Sequence, residues 1–295
     1  MKRKVALMVV YNHRYDNNIP IVEKIYKNKF KHIYHLVPFY DGNQDNVIPV
    51  YENSYYFGSY ITQAYGHLRK LGFTHYFIIA DDMVINPQIT EANVNEFLGI
   101  GENDCFIRDL IELQNDKFQW GHLDSAISYQ VKQEGVEVST ILPTIEEAKQ
   151  RFCRYGISTG RFSLRAITPK FWGRRHTLMF FQALLAGMKL NYPILRAYSD
   201  IFLVPATVMQ QFCNYLGAFS ATKLFVEAAI PTSLILSSDN VKVIEGTGLR
   251  SGDVWGKDIQ ALGEKYEFSV NRLIDEFPKD LLFYHPIKLS KWKLQ

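Results

Sequence analysis

Cysteine is scarce in this chain. Its three cysteines, Cys105, Cys153 and Cys213, are far apart among 295 residues. Their odd number and wide spacing imply no disulfide framework and match no zinc site, so buried thiols in a reducing compartment are expected. Net charge is also small, +3 from 33 basic and 30 acidic residues, which makes no demand for a nucleic-acid partner. No apolar run is long and unbroken enough to span a bilayer. The short run at 5–10 follows a basic start and meets Asn12, His13 and Arg14 at once. It reads as a first strand rather than a signal peptide. The expected location is therefore the cytoplasm, with the inner face of a membrane as an allowed resting surface. Repeats, low-complexity linkers and a G-x-x-x-x-G-K phosphate loop are all missing.

Aromatic residues, by contrast, reach 14%, within an apolar fraction of 47% and beside a charged fraction of 21%. That balance belongs to a globular chain with a substantial core. The aromatic excess suits core packing first and stacking surfaces for rings or sugars second. The stretch from Thr74 to Pro87 organises the rest: T-H-Y-F-I-I-A-D-D-M-V-I-N-P. Tyr76 to Ile79 form an unbroken apolar run, as in a strand buried on both faces of a parallel sheet. Asp81 and Asp82 follow at once. Open α/β sheets bind ligands beyond the carboxyl ends of their strands, where two acids could hold a hard divalent cation and through it a phosphate. The competing reading is a helix N-cap.

Hydrophobic spacing predicts strands over 4–10, 32–37, 47–51 and 74–80 and helices over 19–30 and 59–71. The resulting order, β-α-β-β-α-β, implies a mostly parallel sheet with covering helices. Further on, a loop and short helix are expected over 87–98, a strand over 136–142, and a helix over 144–154 opened by a T-I-E-E cap. Helices are also expected over 177–188, 209–216 and 222–236, the last carrying a single acid, Glu227. A strand over 195–204 has Asp200 set into it.

This pattern resembles the GT-A glycosyltransferases, in which a Rossmann-related sheet ends in a D-x-D-type motif. Ala80-Asp81-Asp82 stands where many members carry acids at the first and third positions. The resemblance implies a mixed, mostly parallel α/β sheet flanked by helices in one domain, 1–295. Residues 1–100 would form the nucleotide-binding half, and 101–295 the acceptor-binding half with the tail. It implies Asp82 as ligand to a divalent metal, Mn2+ or Mg2+, with Asp81 near the ribose. His285-Pro286-Ile287-Lys288 is similar to a tail that returns a histidine to the metal and a lysine to the diphosphate. Imidazole with carboxylate suits such ions, and a lysine adds a point charge for phosphate oxygens. His285 read alone is an aromatic near the terminus. Tyr11, Asn12 and Asp41 fall where the family contacts the base, although Asp41 in D-G is also a turn residue. Arg69 and Lys70 are read as complementing a helix dipole.

The implied reaction moves a hexosyl or N-acetylhexosaminyl group from a nucleotide diphosphate-sugar to a glycan or lipid-linked acceptor, as in polysaccharide or glycoconjugate synthesis. A UDP-sugar is the first expectation for the donor, and peripheral membrane association is allowed. An inverting transfer needs a carboxylate base. Glu227, isolated in an apolar helix where burial raises its pKa, is the first candidate, and Asp200 the second. Either could instead pair with Arg154, Arg161, Arg174 or Arg175. Two other classes compete. A sugar nucleotidyltransferase would open with a glycine-rich loop, but the place after strand one reads Y-N-H-R-Y-D-N-N. A non-catalytic carbohydrate-binding protein would use Trp120, Tyr129, Trp172 and Trp255, yet would not need the strand-end acids and tail histidine.

Overall fold

The computed structural model describes residues 3–115, 120–138, 140–162, 174–185 and 187–294. At its centre is β4 (His75–Ala80), buried at every position. β1 (Val5–Val10) runs parallel to one side of it, in register Val10 with Ala80. β7 (Ile201–Pro205) runs antiparallel on the other. Adding β2 (His32–Pro38), β3 (Val47–Val50), β6 (Cys105–Ile107) and β8 (Val241–Lys242) gives a seven-stranded sheet in the order β3-β2-β1-β4-β7-β6-β8. A second sheet, β5 (Val84–Ile85), β10 (Leu281–His285) and β9 (Arg250–Asp253), joins the chain after β4 to the tail. The fold is α/β with a mixed, mostly parallel sheet flanked by helices.

The unbroken apolar runs reflect burial on both faces. Side chains alternate across a strand, so Ala6, Met8, Val10, Tyr76 and Ile78 enter one core, and Val5, Leu7, Val9, Phe77 and Ile79 the other. The first core packs against helices Gly58–Leu68, Ala206–Ala221 and Val226–Ser237. The second packs against helix Ile19–Tyr26 and the tail strand Leu281–His285. Helix Ile145–Arg154 begins with the expected capping box, Thr144 receiving the Glu147 amide at 3.3 Å while its own amide reaches Glu147 Oε2 at 2.8 Å.

Three expected elements change. The strand over 136–142 does not form among the described residues. Val138 O instead accepts the amides of Ile141 and Leu142, closing a local turn, and Val136 makes only an isolated bridge to Gln133. The strand expected from 195 starts at Ile201, because residues 195–197 bond elsewhere: Leu195 to Thr232, Arg196 to Ile111 and Ala197 to Glu227. The helix expected from 222 starts at Val226. Thr222 caps the preceding helix and Lys223 has a positive φ of 63°, a conformation that ends a helix.

These contacts set a graded stability. Phe77→Ala removes a fully buried ring between two strands and should cost about 3–5 kcal/mol. Thr144→Ala removes only a cap and should cost about 1 kcal/mol. Urea unfolding followed by circular dichroism measures both.

Candidate active site

Past the carboxyl ends of β1 and β4 opens a cleft of about 410 Å³. Asn12, Asp82, Asp200, Glu227 and His285 all line it, although they come from widely separated parts of the chain. Asp82 is delivered by β4, whose ladder with β1 continues through the Asp81 amide to Val10 O at 2.9 Å. The tail is pinned to the same strand end. Ile287 N donates to Asp82 O at 2.6 Å, Asn86 N donates to Leu282 O at 2.7 Å, and the Asn86 amide group donates to Leu281 O at 2.7 Å.

Glu227 is delivered by a helix with a proline inside it. Pro231 has no N–H to give to the carbonyl four residues back. That carbonyl belongs to Glu227, and it accepts the Ala197 amide at 2.9 Å instead. The freed group thus ties the first turn of the helix to the segment that leads into Asp200.

His285 is buried, with Nε2 2.8 Å from Asp82 Oδ1. Its Nδ1 meets the Tyr198 hydroxyl. The Tyr198 ring lies parallel to Phe283, with centroids 5.5 Å apart, and Arg108 sits 4.0 Å over it. Arg108 in turn binds both oxygens of Asp253, at 2.9 and 2.8 Å. Burial alone would lower the His285 pKa, but contact with Asp82 and the charges of Asp200 and Asp253 outweigh it, and the net shift is upward. Asp82 Oδ1 is buried and has no aligned hydrogen-bond donor. Two cis ligands of an octahedral ion, each ~2.1 Å from it, lie about 3 Å apart. The Asp82–His285 separation fits that spacing, and the Tyr198 contact leaves Nε2 as the nitrogen facing Asp82. Among the described residues no three His, Cys, Asp or Glu side chains converge on one point. The pair therefore suits an ion that completes its shell with phosphate oxygens and water.

The cleft is acidic. Its carboxylate and imidazole lining is Asp82, Asp200 and Glu227 with His13, His122 and His285, and among the described residues no lysine or arginine lines it. Burial and then the neighbouring Asp82 push Asp81 up to about 7. Burial also raises Asp200. Glu227 is raised by burial and further by Asp200, while an N–H bond from the Trp120 indole pulls it partly back. Beside Glu227 is an aromatic wall. His122 stacks on Phe225 with centroids 3.7 Å apart and planes at 19°, and Tyr55 lies 5.6 Å from Phe225. Trp255, 61% exposed, stands on the rim.

The other sequence candidates lie outside the cleft lining. Tyr11 is fully buried, its hydroxyl 3.0 Å from His35 Nδ1, with His35 Nε2 in turn 2.8 Å from Glu23. Asp81 is 3% exposed and accepts a 3.4 Å bond from Asn18. Asp41 is exposed and paired with Arg14, and Lys288 is exposed on the tail. Arg154 pairs with Asp239 rather than with Glu227. The Arg174 and Arg175 side chains, and Trp172, lie outside what is described. Tyr55, His122 and Phe225 had no pattern in the sequence to mark them, since a 3-10 turn and two helix N-caps from separate parts of the chain bring them together. One further string, Gly156-Ile157-Ser158-Thr159-Gly160, spells the G-x-S-x-G of a hydrolase nucleophile elbow. It follows a helix instead of a strand, and Ser158 is exposed on a loop, so it lacks the elbow's geometry.

No family model matches the chain, and no curated protein matches it. Among solved structures it is similar to the mannosyltransferase Ktr4p from S. cerevisiae in complex with GDP, at 10% identity and a TM-score of 0.36. That match covers 81% of this chain and 67% of the other. Among the described residues no helix is long and apolar enough to cross a membrane.

The Trp120 contact makes a signed prediction. Its N–H favours the ionised form of Glu227, so Trp120→Phe should move the Glu227 titration to higher pH. Carbon NMR of the glutamate carboxyls reads that midpoint directly.

Proposed function

We propose that the chain is a metal-dependent glycosyltransferase that moves a hexosyl or N-acetylhexosaminyl group from a nucleoside diphosphate-sugar to a glycan or lipid-linked acceptor. The observation that carries this reading is the acidic cleft. Asp82 and His285 meet at 2.8 Å at the carboxyl end of the sheet, in a lining without lysine or arginine among the described residues. Such a surface would repel a bare diphosphate and accept one that arrives with a divalent cation. Asp82 and His285 would hold the ion. When bound, it neutralises the diphosphate and the charge that leaves with it.

The remaining groups divide the work by position. Asn12 and His13, at the end of β1, face the nucleoside side of the cleft. The wall of Tyr55, His122 and Phe225 offers a flat surface for a sugar ring. Tyr198 holds the His285 ring in its orientation. Glu227 takes the proton from the acceptor hydroxyl. Its raised pKa brings it nearer the working range of a general base, and the Trp120 N–H aims it. Asp200 is the second candidate for that proton. Asp81, behind Asp82, holds the strand end through Asn18, and contact with the ribose passes to groups that face the cleft. UDP is the first nucleotide to try, and the inner face of a membrane is the first place to look for a lipid-linked acceptor.

Nucleotide release from a UDP-sugar with Mn2+ tests this assignment. Asp82→Ala should abolish metal-dependent donor binding. Glu227→Gln should keep donor binding and lower transfer by about 10²-fold or more, the scale for losing a general base. If Glu227→Gln transfers at the wild-type rate and Asp200→Asn does not, the base is Asp200. If no nucleotide-sugar binds at all, the transferase reading fails and a carbohydrate-binding role replaces it.

A further inference from the structure

A second cavity, of about 670 Å³, lies at the opposite end of the sheet, where β1 and β2 begin. Six residues of strand at ~3.3 Å each place it roughly 20 Å from the acidic cleft. Its charge is reversed. Arg3, Lys4, Lys29, Lys31 and His32 line it, against one carboxylate, Glu91. Both Glu91 oxygens are already engaged by backbone, taking the Val5 amide at 3.1 Å and the Lys31 amide at 3.0 Å. Arg3 pairs with Glu102 through one guanidinium nitrogen, and Lys4 donates to Leu71 O at 2.6 Å.

Two cationic donors have no such use. Lys29 Nζ and Arg3 Nε are both buried, and neither has a hydrogen-bond partner among the described residues. A buried ammonium without an acceptor is costly, and here burial pulls the Lys29 pKa down. Lys29 is not held there by a helix, since it follows the helix Ile19–Tyr26 in a turn closed by its amide to Tyr26 O at 2.8 Å. A long, flexible side chain with open solvent nearby would normally extend its ammonium into water. This one stays inside, and Arg3, whose Nε is also without a partner among the described residues, lines the same cavity of about 670 Å³.

We infer that this cavity binds a phosphate-bearing anion, with Lys29 and Arg3 donating to its oxygens and Lys31 adding charge at the mouth. A phosphate offers several acceptor oxygens to donors converging from different directions, and no contact with the acidic cleft is needed. The phosphate could be a free one or the headgroup of an anionic lipid. Both offer the same oxygens.

Thermal unfolding of the full chain, with EDTA present to remove metal-dependent binding in the cleft, separates the outcomes. Inorganic phosphate should raise the melting temperature above that in sodium chloride of equal ionic strength. Lys29→Met and Lys31→Gln should each weaken that response by about tenfold in phosphate concentration, the scale of one lost charge-assisted contact. Asp82→Ala should leave the response intact. Lys31 is exposed, so its variant carries the test if Lys29→Met fails to fold. Flotation with phosphatidylglycerol-containing vesicles is the second arm. Binding there that is lost in the lysine variants, without a response to free phosphate, assigns the anion to a lipid headgroup. If neither phosphate nor vesicles bind, or if the variants respond like the wild type, the inference is overturned.

Discussion

A pair of adjacent carboxylates at the end of a strand buried on both faces is the constraint to which much of this structure responds. Asp81 and Asp82 leave β4 side by side, and burial together with the neighbouring Asp82 raises the cost of ionising Asp81. The protein meets that cost asymmetrically. Asp81 is sealed in, carries a pKa of about 7 and takes one weak bond from Asn18. Asp82 turns toward the cleft and meets His285. One acid is thus driven toward neutrality, while the other faces the cleft beside an imidazole.

The rest of the site is built to hold that arrangement still. The tail could not bring His285 back across most of the chain by side-chain contact alone. It returns as β10, paired with β5 directly after the acids and locked by Asn86. Behind the histidine, the Tyr198 ring packs against Phe283 and Arg108, and its hydroxyl meets His285 Nδ1. On the far wall a proline inside a helix leaves one carbonyl unpaired, and that carbonyl anchors the Asp200 segment. A feature that weakens an isolated helix here joins two parts of the cleft.

Net charge conceals a separation of charge. The value of +3 made no demand for a nucleic-acid partner. In the fold, acids gather past the carboxyl end of the sheet, and lysines and Arg3 gather at the other. Strand direction contributes: Asp82 follows the parallel strand β4 at one end, while Arg3 and Lys4 precede β1 and Lys31 precedes β2 at the other.

Four neighbouring strands of the sheet, β1 to β4, were legible along the chain, while β6 and β8 were not. Runs such as V-A-L-M-V-V and H-Y-F-I-I-A carry their burial in their composition, and the β-α-β-β-α-β order follows from short connections. Asp82 and Glu227 stood out because a charged group beside an apolar run is conspicuous along the chain, whereas His285 and Asn12 came from the family resemblance alone. Which of these face one another is set by the packed fold. It also buried Tyr11 in a hydrogen-bonded chain to Glu23, left Asp41 and Lys288 outside the cleft, and gathered Tyr55, Trp120, His122 and Phe225 into one wall. The reason is physical. Periodicity reports whether a residue is buried, but the direction of a loop side chain depends on contacts hundreds of residues away, and these leave no local pattern in the chain.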